Sequence, residues 1–124
     1  MSLIMIVDDD ADIVKTFESS LTREGHQVVC ASNGDDALNS LRARPDLVLV
    51  DIAMPGIDGI ELCRRIRGNP ATAATPILFV TVSGDIESKT AAFDAGADDY
   101  LVKPFDLQEL SLRVKALLMR YELG

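Results

Sequence analysis

A doubly wound α/β domain, one parallel sheet with helices on both faces, is the fold class this sequence predicts. Three observations carry the prediction. Short apolar runs alternate with stretches of helical periodicity five times within 124 residues. The runs are nearly continuous in Val, Ile and Leu, as strands buried on both faces of a parallel sheet are. Each interval between runs is long enough for the crossover helix that parallel strands require. Residues 1–124 read as one domain with a real core, and no linker or low-complexity segment divides them.

The first strand is Leu3 to Val7, ending at Asp8-Asp9-Asp10. Met1-Ser2-Leu3 runs almost directly into it and reads as a leader or a domain edge. Asp10 or Asp12 can cap the next helix, where Ile13 or Val14, Phe17 and Leu21 recur at helical spacing and Gly25 marks the end. Gln27 to Ala31 is the second strand. Asn33-Gly34 turns into a helix striped by Ala37, Leu38 and Leu41, and Pro45 stops it. Leu47 to Val50 is the third strand, ending at Asp51 and a Pro55-Gly56 turn. Ile57, Ile60, Leu62 and Ile66 mark a third helix, with Arg64, Arg65 and Arg67 near its end, where the helix dipole favours cations.

Gly68-Asn69-Pro70 breaks that helix, and Ile77 to Val80 is a fourth strand ending at Thr81. Ser83-Gly84-Asp85 leads into a helix from Ile86 to Ala95, stopped by Gly96. Tyr100 to Val102 is a short fifth strand, closed by Lys103-Pro104. The last helix begins near Asp106 and carries Leu107, Leu110, Val114, Leu117 and Leu118. Ile86, Ala92, Leu110 and Leu117 are expected in the core.

Composition excludes several classes of function. A formal net charge of −8 opposes unaided binding to nucleic acid or to an anionic membrane surface. No apolar run approaches the roughly 20 residues of a membrane span, and no signal peptide opens the chain. Cys30 and Cys63 have no metal-ligand spacing and read as reduced thiols of a cytoplasmic protein. His26, beside Gly25 at a turn, reads as a surface residue.

With caps and stripes set aside, five polar residues stand at strand carboxyl ends: Asp8, Asp9, Asp51, Thr81 and Lys103. A doubly wound sheet brings these ends to one edge, with a crevice at the switch point between the first and third strands. Three carboxylates gathered there repel one another, and a hard divalent cation relieves the repulsion. Mg²⁺ (or Mn²⁺) suits oxygen ligands of this kind together with phosphate oxygens. A carboxylate such as Asp51 can attack phosphorus. Phosphoryl transfer then needs positioning and charge neutralisation, which the metal, Lys103 and the Thr81 hydroxyl can supply.

The chain resembles the receiver domain of the two-component response-regulator family over essentially its whole length. The matching segments are Ile6-Val7-Asp8-Asp9, Leu49 to Gly59, Val80-Thr81 and Gly96 to Phe105. The resemblance implies a flavodoxin-like sheet in the order 2-1-3-4-5 and Asp51 as phosphoacceptor. It further implies Mg²⁺ held by Asp9 directly, by Asp8 largely through water, by Asp51 and by the Ala53 backbone carbonyl. Thr81 becomes the switch hydroxyl, Lys103 the phosphoryl-binding cation, Tyr100 the aromatic that turns inward with the switch, and Lys103-Pro104 a cis bond.

A histidine kinase or histidine phosphotransfer protein is the implied donor, docking near the first helix and the active-site loops. The face of the fourth helix, fifth strand and last helix is the implied surface for an output domain or a second copy. The pattern from Arg113 to Arg120 resembles the last helix of receivers that continue into another domain. Ala53, Val82 and Ser83 tune the site. Neither Ala53 nor Ser83 has a long polar side chain to steer water, so slow to moderate loss of the phosphoryl group is expected. Val82, bulkier than the family's usual residue, is expected to restrict access to Asp51 or the travel of Thr81.

Three other readings compete. A haloacid-dehalogenase-like phosphatase would use Asp8 as nucleophile and Asp10 as acid/base, with Thr81, Lys103 and Asp98-Asp99 completing the site. It leaves the Asp51 to Pro55 segment without a purpose. A flavodoxin-like cofactor binder would place a Ser, Thr and Gly-rich phosphate loop where this chain has three aspartates. A pseudo-receiver would lack part of the acceptor set.

Overall fold

The computed structural model describes residues 2–123, with side chains from Ser2 to Arg120. Five parallel strands form one sheet in the order β2-β1-β3-β4-β5. They are β1 (Leu3–Val7), β2 (Gln27–Ala31), β3 (Leu47–Val50), β4 (Ile77–Thr81) and β5 (Asp99–Val102). The helices are α1 (Ala11–Arg23), α2 (Gly34–Ser40), α3 (Gly59–Gly68), α4 (Ile86–Asp94) and α5 (Leu107–Leu123), with a 3-10 turn at Leu41–Ala43. Met1 lies outside the described residues, whereas Leu3 already pairs with Gln27 in the sheet.

Alternation along the strands divides the core into two layers. Met5, Val7, Val48, Val50, Ile77 and Phe79 face α2, α3 and α4, where Ala37, Leu62, Cys63, Ile66 and Ala92 cover them. Ile4, Ile6, Leu47, Leu49, Leu78, Val80 and Leu101 face α1 and α5 and pack on Phe17, Leu21, Leu110, Val114 and Leu117. Both faces of β3 and β4 are therefore dry, which is why those strands read as unbroken apolar runs. Each fully buried Leu, Ile or Phe here contributes about 1.5–3 kcal/mol relative to exposure.

Local chemistry starts and stops the helices. Asp10, Asn33, Asp58 and Asp85 each accept a hydrogen bond from a backbone N–H of the first turn that follows. Each such cap is worth about 1 kcal/mol. Gly25 and Gly96 leave their helices with φ of +92° and +112°, the left-handed region that favours glycine. The 3-10 turn ends at Arg44, the one described non-glycine residue with positive φ, at 55°. Pro45 follows it and disfavours the right-handed helical conformation there.

The structure corrects three sequence expectations. Ile57 precedes α3, because Gly56 turns with φ +76° and Asp58 caps the helix two residues later. Its side chain instead packs where Gly34 has no Cβ. Ile86 is 75% exposed and not in the core, since α4 packs through the small residues Ala91, Ala92 and Ala95. His26 is half-buried, because its backbone N–H folds back to the Leu21 carbonyl. No described helix is long and apolar enough to cross a membrane.

Candidate functional site

The sheet ladder runs one residue past the strand ends and thereby sets the site. The Asp8 N–H donates to the Ala31 carbonyl at 3.1 Å, that of Asp51 to Val7 at 3.1 Å and that of Lys103 to Thr81 at 2.8 Å. Three charged residues from three distant segments are thus held level at one edge. The turn after Asp51 is held from below by α3. Gly59 N–H donates to the Ile52 carbonyl at 2.9 Å. A Cβ on Gly59 would stand 2.1 Å from the Asp51 carbonyl oxygen, so only glycine permits this approach.

Lys103 joins the acids. Its Nζ donates to Asp8 Oδ2 at 2.9 Å and to Asp51 Oδ2 at 3.2 Å. Asp8 is 3% exposed, and its other oxygen accepts from the Asp10 N–H at 3.0 Å. Burial pulls the Lys103 ammonium pKa down, but the hydrogen bond and charge of Asp8, then those of Asp51, outweigh it and hold the pKa above its ordinary value. Two carboxylates against one ammonium leave the cluster with one uncompensated negative charge. Some of the repulsion expected among the acids is therefore met by Lys103 itself. Asp9 stands exposed beside the cluster.

Asp51 Oδ1 is buried and has no hydrogen-bond partner among the described residues. A carboxylate oxygen buried in this way carries a real desolvation cost. Hard oxygens are what Mg²⁺ takes: the Asp51 and Asp8 carboxylates meet at Lys103, and Asp9 and Ala53, close in sequence to that pair, are exposed. Among the described residues no three His, Cys, Asp or Glu side chains stand together as a metal site. Asp8 and Asp51, joined through Lys103, are the pair of carboxylates available to such an ion. The residues present fit Mg²⁺.

Thr81 is fully buried, and its Oγ1 accepts from the Ser83 N–H at 3.3 Å. The Ser83 carbonyl in turn accepts from the Tyr100 hydroxyl. Tyr100, expected to turn inward with the switch, is already 8% exposed in this structure. Its ring stacks on Phe79 with centroids 6.1 Å apart, and Lys89 Nζ lies 6.0 Å from the ring centroid. Burial, with the charges of Asp85 and Asp51, raises the Tyr100 pKa. Thr81, Ser83 and Tyr100 thus form a polar chain from β4 to β5. Val82 is 70% exposed, so its bulk lies toward solvent and not in the interior around Thr81. The Lys103-Pro104 bond is cis.

The parts of the phosphatase reading are not brought together. Asp10 caps α1, Asp98 pairs with Arg67 at 2.9 Å, and Asp99 pairs with Arg113 at 2.9 Å. Sequence reasoning missed Gly59 and the Ser83 carbonyl. A glycine directly after an aspartate cap was the available signal for the first. A backbone carbonyl leaves no signal.

Comparison with known proteins agrees with this geometry. The family described as "Response regulator receiver domain" matches residues 4–115. The chain is 48% identical over 118 residues to the transcriptional regulatory protein ResD of Bacillus subtilis (strain 168), covering 94% of this chain and 48% of that protein. It is 47% identical over 122 residues to the transcriptional regulatory protein AfsQ1 of Streptomyces coelicolor, covering 98% of this chain and 52% of that one. The chain spans about half the length of these curated relatives. The solved structure of the BeF3-activated DrrB receiver domain superposes with a TM-score of 0.88 at 36% identity, covering 96% of this chain and 98% of that one. A parallel sheet in the order 2-1-3-4-5, an acid-lysine cluster at its carboxyl edge and a family match over nearly the whole sheet agree: this chain belongs to the receiver domains of two-component response regulators.

Proposed function

We propose that Asp51 is the phosphoacceptor of a signalling switch, taking a phosphoryl group from the phosphohistidine of a histidine kinase or histidine phosphotransfer protein. The observation that carries this reading is the Asp51 carboxylate itself. One oxygen is tied to Lys103 and the other is buried without a partner. A carboxylate oxygen attacks phosphorus, the phosphorus–nitrogen bond breaks, and the imidazole leaves with the electron pair. Lys103 then shifts its donors from Asp51 Oδ2 to the incoming phosphoryl oxygens while keeping Asp8. Asp8, Asp9, Asp51 and the Ala53 carbonyl would hold Mg²⁺, which would add to the neutralisation of the phosphoryl charge.

Thr81 gives up the Ser83 N–H and donates its hydroxyl to the phosphoryl group. That displaces the Ser83 loop, whose carbonyl holds the Tyr100 hydroxyl, and so biases the packing of Tyr100. The face of α4, β5 and α5 passes the change to an output domain or a second copy. Relatives named as transcriptional regulatory proteins support a regulatory output. The domain assists its own phosphorylation and dephosphorylation and is not a turnover enzyme. Ala53, Val82 and Ser83 set the lifetime of the acyl phosphate. Cytoplasmic residence accompanies this role.

Incubation with acetyl phosphate or beryllofluoride and Mg²⁺ tests the reading. Wild type forms the adduct, and Asp51→Asn loses it. A phosphatase of the competing kind would lose turnover in Asp8→Asn and keep it in Asp51→Asn. Phosphate release from the phosphorylated domain tests the tuning, and a lifetime of only seconds would defeat slow to moderate release.

A further inference from the structure

A cleft lies away from Asp51, where the 3-10 turn after α2 meets the end of α3 and the loop that follows. Its volume is about 770 Å³. That is within the range of small-molecule sites. Three guanidinium groups line it, from Arg42, Arg44 and Arg65, and no carboxylate does. In a chain of net charge −8 such a cluster is a local reversal of sign.

The chemistry of the lining is one-sided. The guanidinium groups of Arg42 and Arg44 have no hydrogen-bond or ion-pair partner among the described residues. Asn69 commits its side-chain oxygen to the Ala71 N–H at 3.0 Å, which leaves its amide hydrogens as donors. Arg67 already takes the carbonyls of Ala73 and Thr75, removing two acceptors from the same loop. Arg65 alone is partly committed, to Glu61 at 3.1 Å. Leu38, Leu41 and Pro45 supply an apolar wall. Arg44 also holds a left-handed conformation, with φ 55°, where glycine would sit without strain.

We propose that this cleft binds a phosphorylated small molecule with an apolar body, of the nucleoside phosphate class. The phosphates would be met by the planar forks of Arg42 and Arg44, which match phosphate oxygens two at a time. The apolar body would lie on Leu38, Leu41 and Pro45. Because the overall field repels anions, capture depends on these short-range contacts.

The test is calorimetric titration of the whole chain with ADP, in buffer free of divalent cations and repeated in Asp51→Asn. Saturable binding at one site is expected in both. The double substitution Arg42→Gln with Arg44→Gly should weaken it at least tenfold, while Arg64→Gln, outside the cleft, leaves it unchanged. Arg44→Gly relieves the left-handed strain, so a retained or raised melting temperature in the double variant separates lost binding from lost folding. Adenosine and inorganic pyrophosphate should each bind at least tenfold more weakly than ADP. No saturable ADP binding, or equal binding by the double variant, overturns the proposal. So does pyrophosphate binding as tightly as ADP, or a polyglutamate peptide binding through these arginines where ADP does not.

Discussion

Two largely buried cations hold carboxylates at opposite ends of the sheet, Lys103 at the carboxyl ends of the strands and Arg67 at the amino ends of β4 and β5. Arg67 is fully engaged. Its guanidinium donates to the carbonyls of Gly96, Ala73 and Thr75 and to Asp98 at 2.9 Å. Asp98 Oδ2 also accepts from the Ile77 N–H at 2.8 Å. The clamp joins α3, the loop before β4 and the turn before β5. Lys103 instead bridges two acids, and Asp51 Oδ1 is left with no partner among the described residues. Similar components thus make a saturated clamp at one end and an unsaturated one at the other. Saturation marks the structural cluster. An unmatched buried acceptor marks the cluster that has chemistry still to do.

The largest effect should come from the saturated clamp. Arg67→Met strands one carboxylate and several carbonyls, and is expected to cost about 3–5 kcal/mol in urea unfolding. Mg²⁺ should not restore the loss, and the folded fraction should still take up beryllofluoride at Asp51. A comparable loss of adduct formation would break the distinction between the two ends.

Lys103→Met should cost less, about 2–3 kcal/mol, the scale of a charge-assisted hydrogen bond lost. Here Mg²⁺ should recover stability, raising the melting temperature more in the variant than in wild type. Failure of that rescue would count against a metal among Asp8, Asp9 and Asp51.

An alkaline titration sharpens the comparison further. Burial pushes the Cys63 thiol up to about 11, with Arg67 pulling the other way. The Lys103 and Tyr100 values are raised as well. A raised folded-state pKa means that the folded protein holds the proton more tightly than the unfolded chain. The contribution is then complete below the unfolded value, near 9.0 for the thiol, and is lost as pH rises through the folded one, about 11. Urea midpoints should hold steady below pH 9 and fall above it. Cys63→Ala should start lower and fall less steeply.

Tyr100→Phe is the smallest change. It removes one hydroxyl from the Ser83 carbonyl and keeps the stacking on Phe79, so about 1 kcal/mol or less is expected by the same unfolding assay. Faster amide exchange at Ser83 and Gly84 would locate the loss in the loop that links Thr81 to Tyr100.

Strand positions, the first helix cap and the polar residues after each apolar run were legible because they are local. Alternation and turn chemistry act over two to four residues, and Asp10 caps as its neighbours suggest, whereas Asn33 and Asp85 read only as turn residues and the Asp58 cap went unread. The exposure of Ile86 was not legible, since it depends on how little of α4 the sheet needs to cover. Arg67 read only as a cation suited to a helix end. Its partners Gly96 and Asp98 lie 29 and 31 residues away, and no local pattern encodes such a distance.

By itself, then, the sequence determined the strand-helix order, the first helix cap and an acidic carboxyl edge carrying Asp8, Asp9 and Asp51 with Thr81 and Lys103. Only the tertiary structure decided that Lys103 spans Asp8 and Asp51, across 95 and 52 residues, and that Asp51 Oδ1 is buried unmatched. Periodicity records which way a side chain faces. Which charges meet is decided by the packing of segments remote in the chain.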